Sequence, residues 1–173
     1  MFSLLRTTAL CLLSVLTITA QAVVLERSTN ITDLITLRSN TLKTHIEEAL
    51  VHVPAKFNGQ QVMTLATVTS VDGVFNSTLT LKNGTLIIPS GDSQGETISI
   101  VDGDGFANSD FSIVRSPSDG TSKGKLEFGH STAFKLCGAT QNSGTYIVRN
   151  PSASQFNLTS CKDTEIMVHR ITF

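Results

Sequence analysis

The chain has 173 residues and a formal net charge of −1 at neutral pH. This near-neutral charge, without a basic stripe, excludes a protein that follows nucleic acid or an anionic membrane through its positive charges. The length suits a single domain that can bury an ordinary core.

The N-terminal segment has the three parts of a secretory signal peptide. Residues 1–6 carry one positive charge, residues 7–18 are small and apolar, and Ala20-Gln21-Ala22 has the pattern of a cleavage site. The apolar run is too short, and too often broken by Thr and Ser, to span a bilayer. We therefore predict a signal peptide over residues 1–22 and a secreted protein, and the polar C-terminus predicts no lipid anchor.

The residues after the predicted cleavage leave two interpretations open. Residues 23–27 end at Arg27, so they form either a short pro-segment that is trimmed after this arginine or an ordinary N-terminal tail. A single domain is expected over residues 28–173.

The first part of this domain mixes two patterns. Residues 33–38 alternate and are rich in β-branched side chains, which indicates a strand. Thr44-His45-Ile46-Glu47 instead has the spacing of a helix capping box. We predict a strand, a turn and at most one short helix near residues 44–50. Residues 51–57 then alternate as far as Pro54, which is typical of an edge strand because proline cannot donate to a sheet ladder.

The clearest local pattern is a β-hairpin over residues 78–88. Alternating residues flank Asn83-Gly84, the dipeptide that best supplies the two positive φ angles of a type I′ turn. A two-residue loop predicts that Leu81 pairs with Leu86 and Leu79 with Ile88.

Short strands continue to the C-terminus at even spacing. Asp102-Gly103-Asp104-Gly105 resembles the start of a calcium loop, but Phe106 and Ile113 stand where that loop needs oxygen ligands. Ordinary turns are therefore predicted there. Further strands are expected at residues 97–101, 111–114, 125–128, 133–137, 145–149, 155–159 and 165–173.

This series of strands predicts an all-β fold, because little helical periodicity follows Leu50. A single compact sandwich or barrel is expected. Three hairpin-like units of roughly 40 residues would also suit a β-trefoil, which is the alternative.

The cysteines predict one disulfide. Cys11 lies in the predicted signal peptide, which leaves Cys137 and Cys161. An even pair in an oxidising compartment is most simply bonded, and the spacing of these residues is unlike that of a zinc site.

Four sequons predict N-glycosylation in the secretory pathway. Their asparagines are Asn30, Asn76, Asn83 and Asn157.

Catalytic patterns are missing from the sequence. The four histidines, His45, His52, His130 and His169, are scattered without metal-ligand spacing, and no Gly-x-Ser-x-Gly elbow supplies a nucleophile. We expect no catalytic residue, no cofactor, no metal site and no enzyme activity.

Several short motifs carry a family resemblance. They are Leu37-Arg38-Ser39, then Ala55, Phe57 and Gly59, then Asn83-Gly84-Thr85-Leu86, then Val101-Asp102-Gly103-Asp104-Gly105, and finally G-x-L-x-F-G, F-x-x-C-G, Y-x-V and C-x-x-x-x-I-x-V from Gly124 onward. In this order they resemble secreted fungal cell-wall proteins of the PhiA type. Residues 124–168 also resemble the C-terminal module of yeast cell-wall mannoproteins with internal repeats.

The resemblance implies a secreted, glycosylated fungal protein with a structural role at the cell wall or cell surface. Its expected partner is wall polysaccharide, namely glucan, chitin or mannan. The Asp-Gly-Gln repeats that attach the yeast proteins covalently to glucan are absent from this chain. The alternative function is a secreted effector or lectin-like module that binds a host molecule or a polysaccharide.

Overall fold

The computed structural model of the protein describes residues 25–67, 69, 77–115, 123–141 and 144–170. The predicted signal peptide and Asn76 lie outside these residues. Within them the chain forms thirteen β-strands and one short 3-10 helix, Leu158–Ser160. The strands are β1 (Glu26–Ser28), β2 (Ile31–Thr41), β3 (Glu47–Phe57), β4 (Gln60–Thr67), β5 (Leu79–Lys82), β6 (Thr85–Ile87), β7 (Ile100–Asp102), β8 (Gly105–Ala107), β9 (Phe111–Arg115), β10 (Lys123–Phe128), β11 (Phe134–Gly138), β12 (Thr145–Asn150) and β13 (Lys162–Arg170).

Six of these strands close into an antiparallel barrel, in the order β2, β3, β4, β12, β11 and β13, with β13 pairing back to β2. In the closing ladder Ile166 lies opposite Ser39, and Val168 lies opposite Leu37. The predicted all-β fold is confirmed. The barrel strands come from two blocks of sequence, β2–β4 and β11–β13, instead of the three units that a trefoil would require.

The other strands extend the sheet away from the barrel. β5 and β6 form a hairpin beside the first half of β2, while β10, β9 and β1 continue from the second half of β13. The hairpin confirms the predicted turn, since Asn83 and Gly84 both have positive φ and Leu81 lies opposite Leu86. β6 ends at Ile87, so the expected pair of Leu79 with Ile88 lies just beyond the ladder.

Of the two patterns near residues 44–50, the strand forms and the short helix that the sequence allowed does not. A tight turn follows β2, in which the N–H groups of Thr44 and His45 both donate to the carbonyl of Thr41. β3 begins at Glu47, and its first residues pair with β2. The capping-box spacing is overridden because pairing within the sheet satisfies the backbone groups that a helix would have satisfied.

Pro54 lies in the part of β3 where the sequence predicts an edge strand. In the structure β3 has neighbouring strands on both sides near its start. Pairing with β2 ends at Leu50, and beyond this residue β4 is the only strand of the described ranges that pairs with β3. On the open side the N–H of His52 donates to Oγ of Ser77 at 2.7 Å. Residues 52 and 54 present their nitrogens to the same side, so proline interrupts no ladder. The edge-strand prediction for residues 51–57 is therefore confirmed for the part of β3 beyond Leu50.

The strand predicted at residues 155–159 is also wrong. Phe156 forms a single bridge with Ala139, and the chain then turns into the 3-10 helix. Asn157 caps this helix, because its Oδ1 accepts from the N–H of Thr159 at 3.2 Å. A local side-chain bond of this kind competes with strand pairing.

Two apolar clusters hold the fold together. The larger one contains buried residues from all six barrel strands and continues into the added strands through Phe111 and Phe128. The smaller one lies on the outer face of the barrel, over β3, β4, β12 and β11. There the ring of Phe57 contacts the rings of Phe106, Tyr146 and Phe156.

The predicted disulfide between Cys137 and Cys161 is confirmed, and it borders the smaller cluster. No helix among the described residues is long and apolar enough to cross a membrane.

Candidate functional site: the barrel mouth

The side chains that point into the barrel change from apolar to polar toward one end on five of its six strands, and on the sixth strand, β11, the series ends at Gly138. Successive residues of a strand alternate between its two faces, so the inward series can be followed residue by residue toward one end. They run from Leu37 to Ser39 and Thr41 on β2, from Leu50 to Glu48 on β3, from Leu65 to Thr67 on β4, from Leu136 to Gly138 on β11, from Ile147 to Thr145 on β12, and from Ile166 to Thr164 and Lys162 on β13.

The change from apolar to polar begins below the protein surface. Ser39, Thr41, Thr67 and Thr164 are all buried. Hydroxyl groups in an interior need partners, and Oγ of Ser39 donates to the carbonyl of Glu48 while Oγ1 of Thr164 donates to that of Glu165. A buried hydroxyl layer therefore separates the apolar barrel core from the open end.

Above this layer lies a cleft of about 380 Å³, which we call the mouth. Its volume falls within the range of small-molecule sites, and barrel mouths are a common position for them. The lining residues are Glu48, Thr67, Thr69, Leu136, Gly138, Thr145, Thr159, Ser160 and Lys162.

One wall of the mouth is held by the end of β11 and the 3-10 helix. The N–H of Gly138 donates to Oγ of Ser160 at 3.1 Å, and this hydroxyl donates in turn to the carbonyl of Asn157 at 2.7 Å. A Cβ at Gly138 would lie 3.2 Å from Oγ of Ser160, so glycine keeps the wall close. The disulfide joins the residues next to this contact, Cys137 and Cys161, and therefore fixes the wall.

Charge in the mouth is balanced. Glu48 and Lys162 contribute one charge of each sign, and neither side chain forms an ion pair with another residue of the described ranges. The adjacent Asp163 is paired with Lys135 at 2.6 Å, and this hydrogen bond and charge lower the pKa of Asp163. The two mouth charges are thus available to a ligand.

The turn between β2 and β3 lies at the same end of the barrel as the mouth, outside the residues that line it. Leu42 and Ile46 are 46% and 55% exposed, which is unusual for large apolar side chains in this fold. The N–H of Leu42 donates to the carbonyl of Asp163 at 3.2 Å and so holds the turn against β13. A second recess of about 190 Å³ lies between this turn and the start of β13, and Lys162 lines both this recess and the mouth.

Three of the four predicted glycosylation sites lie in the described residues, and all three asparagines are exposed. Asn30 and Asn83 are neighbours far from the mouth, because the N–H of Asn83 donates to Oδ1 of Asn30 at 2.8 Å. Asn157 lies beside the mouth, two residues before Thr159. The structure therefore places one sequon near the cleft and two at the opposite part of β2.

The histidines do not converge on a site. His52 contacts Oγ of Ser77 through Nδ1, and burial lowers the pKa of His52, with the charge of Glu96 opposing the effect. The pKa of His169 is lowered by burial and by Lys123 and Arg38. In the ranges that the structure covers, no three His, Cys, Asp or Glu side chains form a group that could hold a metal ion.

The search for relatives gives no match: no protein-family model, curated protein or solved structure is significantly similar to the chain.

Proposed function

We propose that the protein is a secreted, N-glycosylated fungal cell-wall protein without catalytic activity, and that it binds wall polysaccharide non-covalently through the barrel mouth. The observation that carries this proposal is the coordinated change to polar residues on five of the six barrel strands. A barrel that served only as a scaffold would gain stability from apolar residues at the buried positions Ser39, Thr67 and Thr164.

The chemistry of the mouth suits a saccharide. A hydroxyl both donates and accepts hydrogen bonds, so the Thr and Ser residues of the lining can match the hydroxyl groups of a sugar in either role. Glu48 adds an acceptor and Lys162 a donor, and their opposite charges favour a ligand that has no net charge. Glucan, mannan and chitin are uncharged polymers of this kind. The apolar side chain of Leu136 offers a surface for the C–H groups of a sugar ring.

Two structural features that are compatible with secretion support the same proposal. A disulfide is compatible with a secreted protein, since such bonds persist in oxidising compartments. The exposed sequon asparagines Asn30, Asn83 and Asn157 are accessible to carry glycans.

Binding can be tested by titrating the purified secreted protein with soluble oligosaccharides of chitin, β-glucan and mannan in a calorimeter. We expect saturable binding to at least one of them. Glu48→Gln should weaken it by about fivefold, because hydrogen bonds to charged groups contribute roughly 1 kcal/mol more than neutral ones. Lys162→Met should weaken it by at least as much, because it removes the donor altogether. Lys82→Met, an exposed position on β5, is the matched control and should bind as the parent protein does. Absence of saturable binding to all three would overturn the proposal.

The location can be tested by fractionating fungal cultures. Protein in purified walls that is released by hot detergent supports non-covalent attachment. Protein found only as free monomer in the medium would contradict a role at the wall.

One observation favours a second candidate, a secreted effector that binds a host protein. Leu42 and Ile46 are exposed on one turn, and exposed aliphatic side chains are typical of protein-binding surfaces. The variant Leu42→Ser with Ile46→Ser separates the two functions. It should abolish binding to a host protein and leave saccharide titrations largely unchanged.

A further inference from the structure

Besides the mouth and the recess next to it, a third and more open depression borders the 3-10 helix on the side away from the mouth. Its volume is about 640 Å³, and we call it the side depression. Leu158 is 48% exposed there, although leucine is among the residue types that are most often buried. The lining residues are Ala139, Thr140, Ala153, Phe156, Asn157 and Leu158.

The sequon asparagine is part of this lining and is held in one orientation. Oδ1 of Asn157 accepts hydrogen bonds from the N–H of Thr159 at 3.2 Å and from its Oγ1 at 2.7 Å. Both bonds use the oxygen. The amide nitrogen, which carries the sugar in N-glycosylated proteins, has no hydrogen-bond partner among the described residues, and Asn157 is exposed.

We propose that the N-glycan of Asn157 lies in the side depression and covers Leu158. This inference rests on the proposed function, because it requires glycosylation in the secretory pathway. The occupant follows from the attachment point: a sugar linked to a residue of the lining is at high effective concentration and loses little further freedom on packing. Its C–H faces can contact the apolar side chains of Ala153 and Leu158.

A polar group in the side depression suits the same occupant. Oγ1 of Thr140 donates to the carbonyl of Gln155 at 3.1 Å, so its lone pairs remain able to accept from a sugar hydroxyl or acetamido N–H. Asn83 provides a contrast, since it lies at the tip of a hairpin far from the mouth. A glycan there is expected to extend into solvent.

The test uses Asn157→Asp, which removes the glycan and keeps the Oδ1 acceptor on which the 3-10 helix depends. Glycopeptide mass spectrometry of the secreted parent protein first establishes occupancy. We expect Asn157→Asp to lower Tm by about 2–4 °C and to increase binding of a hydrophobic dye. Thr85→Ala, which removes only the sequon at Asn83, is the control and should leave dye binding unchanged.

Leu158→Ser makes the test specific, because it keeps the sequon and removes the apolar contact. In this background, loss of the Asn157 glycan should change neither Tm nor dye binding further. A glycosylated Asn157 whose replacement changes neither quantity would overturn the inference and leave the proposed function intact. An unmodified Asn157 on the secreted protein would also overturn it, and saccharide titration of the same sample tests the proposed function separately.

Discussion

Nε of Arg27 in β1 lies 2.8 Å from Oε2 of Glu127 in β10, and Glu127 is only 6% exposed. Oγ of Ser112 donates to the same carboxylate oxygen at 3.1 Å. The sequence alone leaves Arg27 as either a processing site or part of a tail. In the structure it pairs with Val114 in the sheet and neutralises a buried charge, so trimming after Arg27 would remove the partner of Glu127.

We predict that Arg27→Met destabilises the protein. The substitution keeps much of the aliphatic stem and removes the charge, which leaves Glu127 buried beside a single hydroxyl donor. Tm in a thermal melt should fall by several degrees, and the double variant Arg27→Met with Glu127→Met should recover most of the loss because no buried charge remains. An Arg27→Met protein with the same Tm as the parent protein would show that the ion pair between Arg27 and Glu127 does not contribute to stability.

The disulfide should stabilise both the fold and the mouth. Cys137 and Cys161 are 24 residues apart, and closing a loop of this size contributes about 3.5 kcal/mol in the chain-entropy model. The double variant Cys137→Ala with Cys161→Ala should therefore unfold at distinctly lower denaturant concentration. It should also bind saccharide more weakly, since Gly138 and Ser160 in the wall of the mouth lose their covalent link. Detection of two free thiols in the native parent protein would contradict the bond itself.

The all-β fold could be predicted from the sequence because each strand carries its own alternating pattern. The hairpin at Asn83-Gly84 is the best case, since the turn and both strands lie within a few residues. Where the structure differs from a prediction, a contact that the alternating pattern does not encode decides the outcome. β3 starts at Glu47 because its first residues pair with β2, and the strand expected at residues 155–159 yields to the cap formed by Asn157.

The mouth could not be predicted, because it depends on register between distant strands. Ser39 and Thr164 look like ordinary solvent-facing residues in their own strands. They face the interior only because β13 pairs with β2 so that Ile166 lies opposite Ser39, and these two residues are far apart in the sequence. The available signal was the polar end of each apolar series, which has meaning only after the barrel is closed.

Two half-buried histidines predict a loss of stability in acid. The pKa of His52 is lowered in the folded protein by burial, and the pKa of His169 is lowered by burial and nearby positive charge. Below the ordinary histidine pKa of about 6.5, the unfolded chain therefore binds protons that the folded chain does not. These two histidines should not reduce the free energy of unfolding above this pH. The free energy of unfolding should fall as the pH drops below it.

The measurement is a series of urea melts between neutral and mildly acidic pH. His52→Asn and His169→Asn should each reduce the slope of stability against pH. His130→Asn is a suitable control, since His130 lies in a turn with positive φ that asparagine tolerates. Equal slopes for the parent protein and the two variants would rule out these histidines as the cause.

Gln155 gives a prediction of the opposite sign, a substitution that stabilises. Its side chain is 2% exposed, and neither its amide oxygen nor its amide nitrogen has a hydrogen-bond partner among the described residues. A buried polar group without a partner costs about 1–3 kcal/mol, and methionine fills a similar volume without that penalty. Gln155→Met should therefore raise Tm by about 2–4 °C. The backbone hydrogen bonds of Gln155 to Thr140 and Ser152 should remain, because they do not depend on the side chain.

Two further substitutions make the Gln155 measurement decisive. Gln155→Glu should lower Tm, because it introduces a carboxylate into the same buried position. Gln141 is exposed and lines a small pocket together with Gln155, so Gln141→Met is the matched control and should leave Tm close to that of the parent protein. If Gln155→Met lowered Tm instead, the amide would have to be satisfied in the native protein in solution. A stabilised variant with unchanged saccharide binding would establish that the unpaired amide contributes to neither the fold nor the mouth.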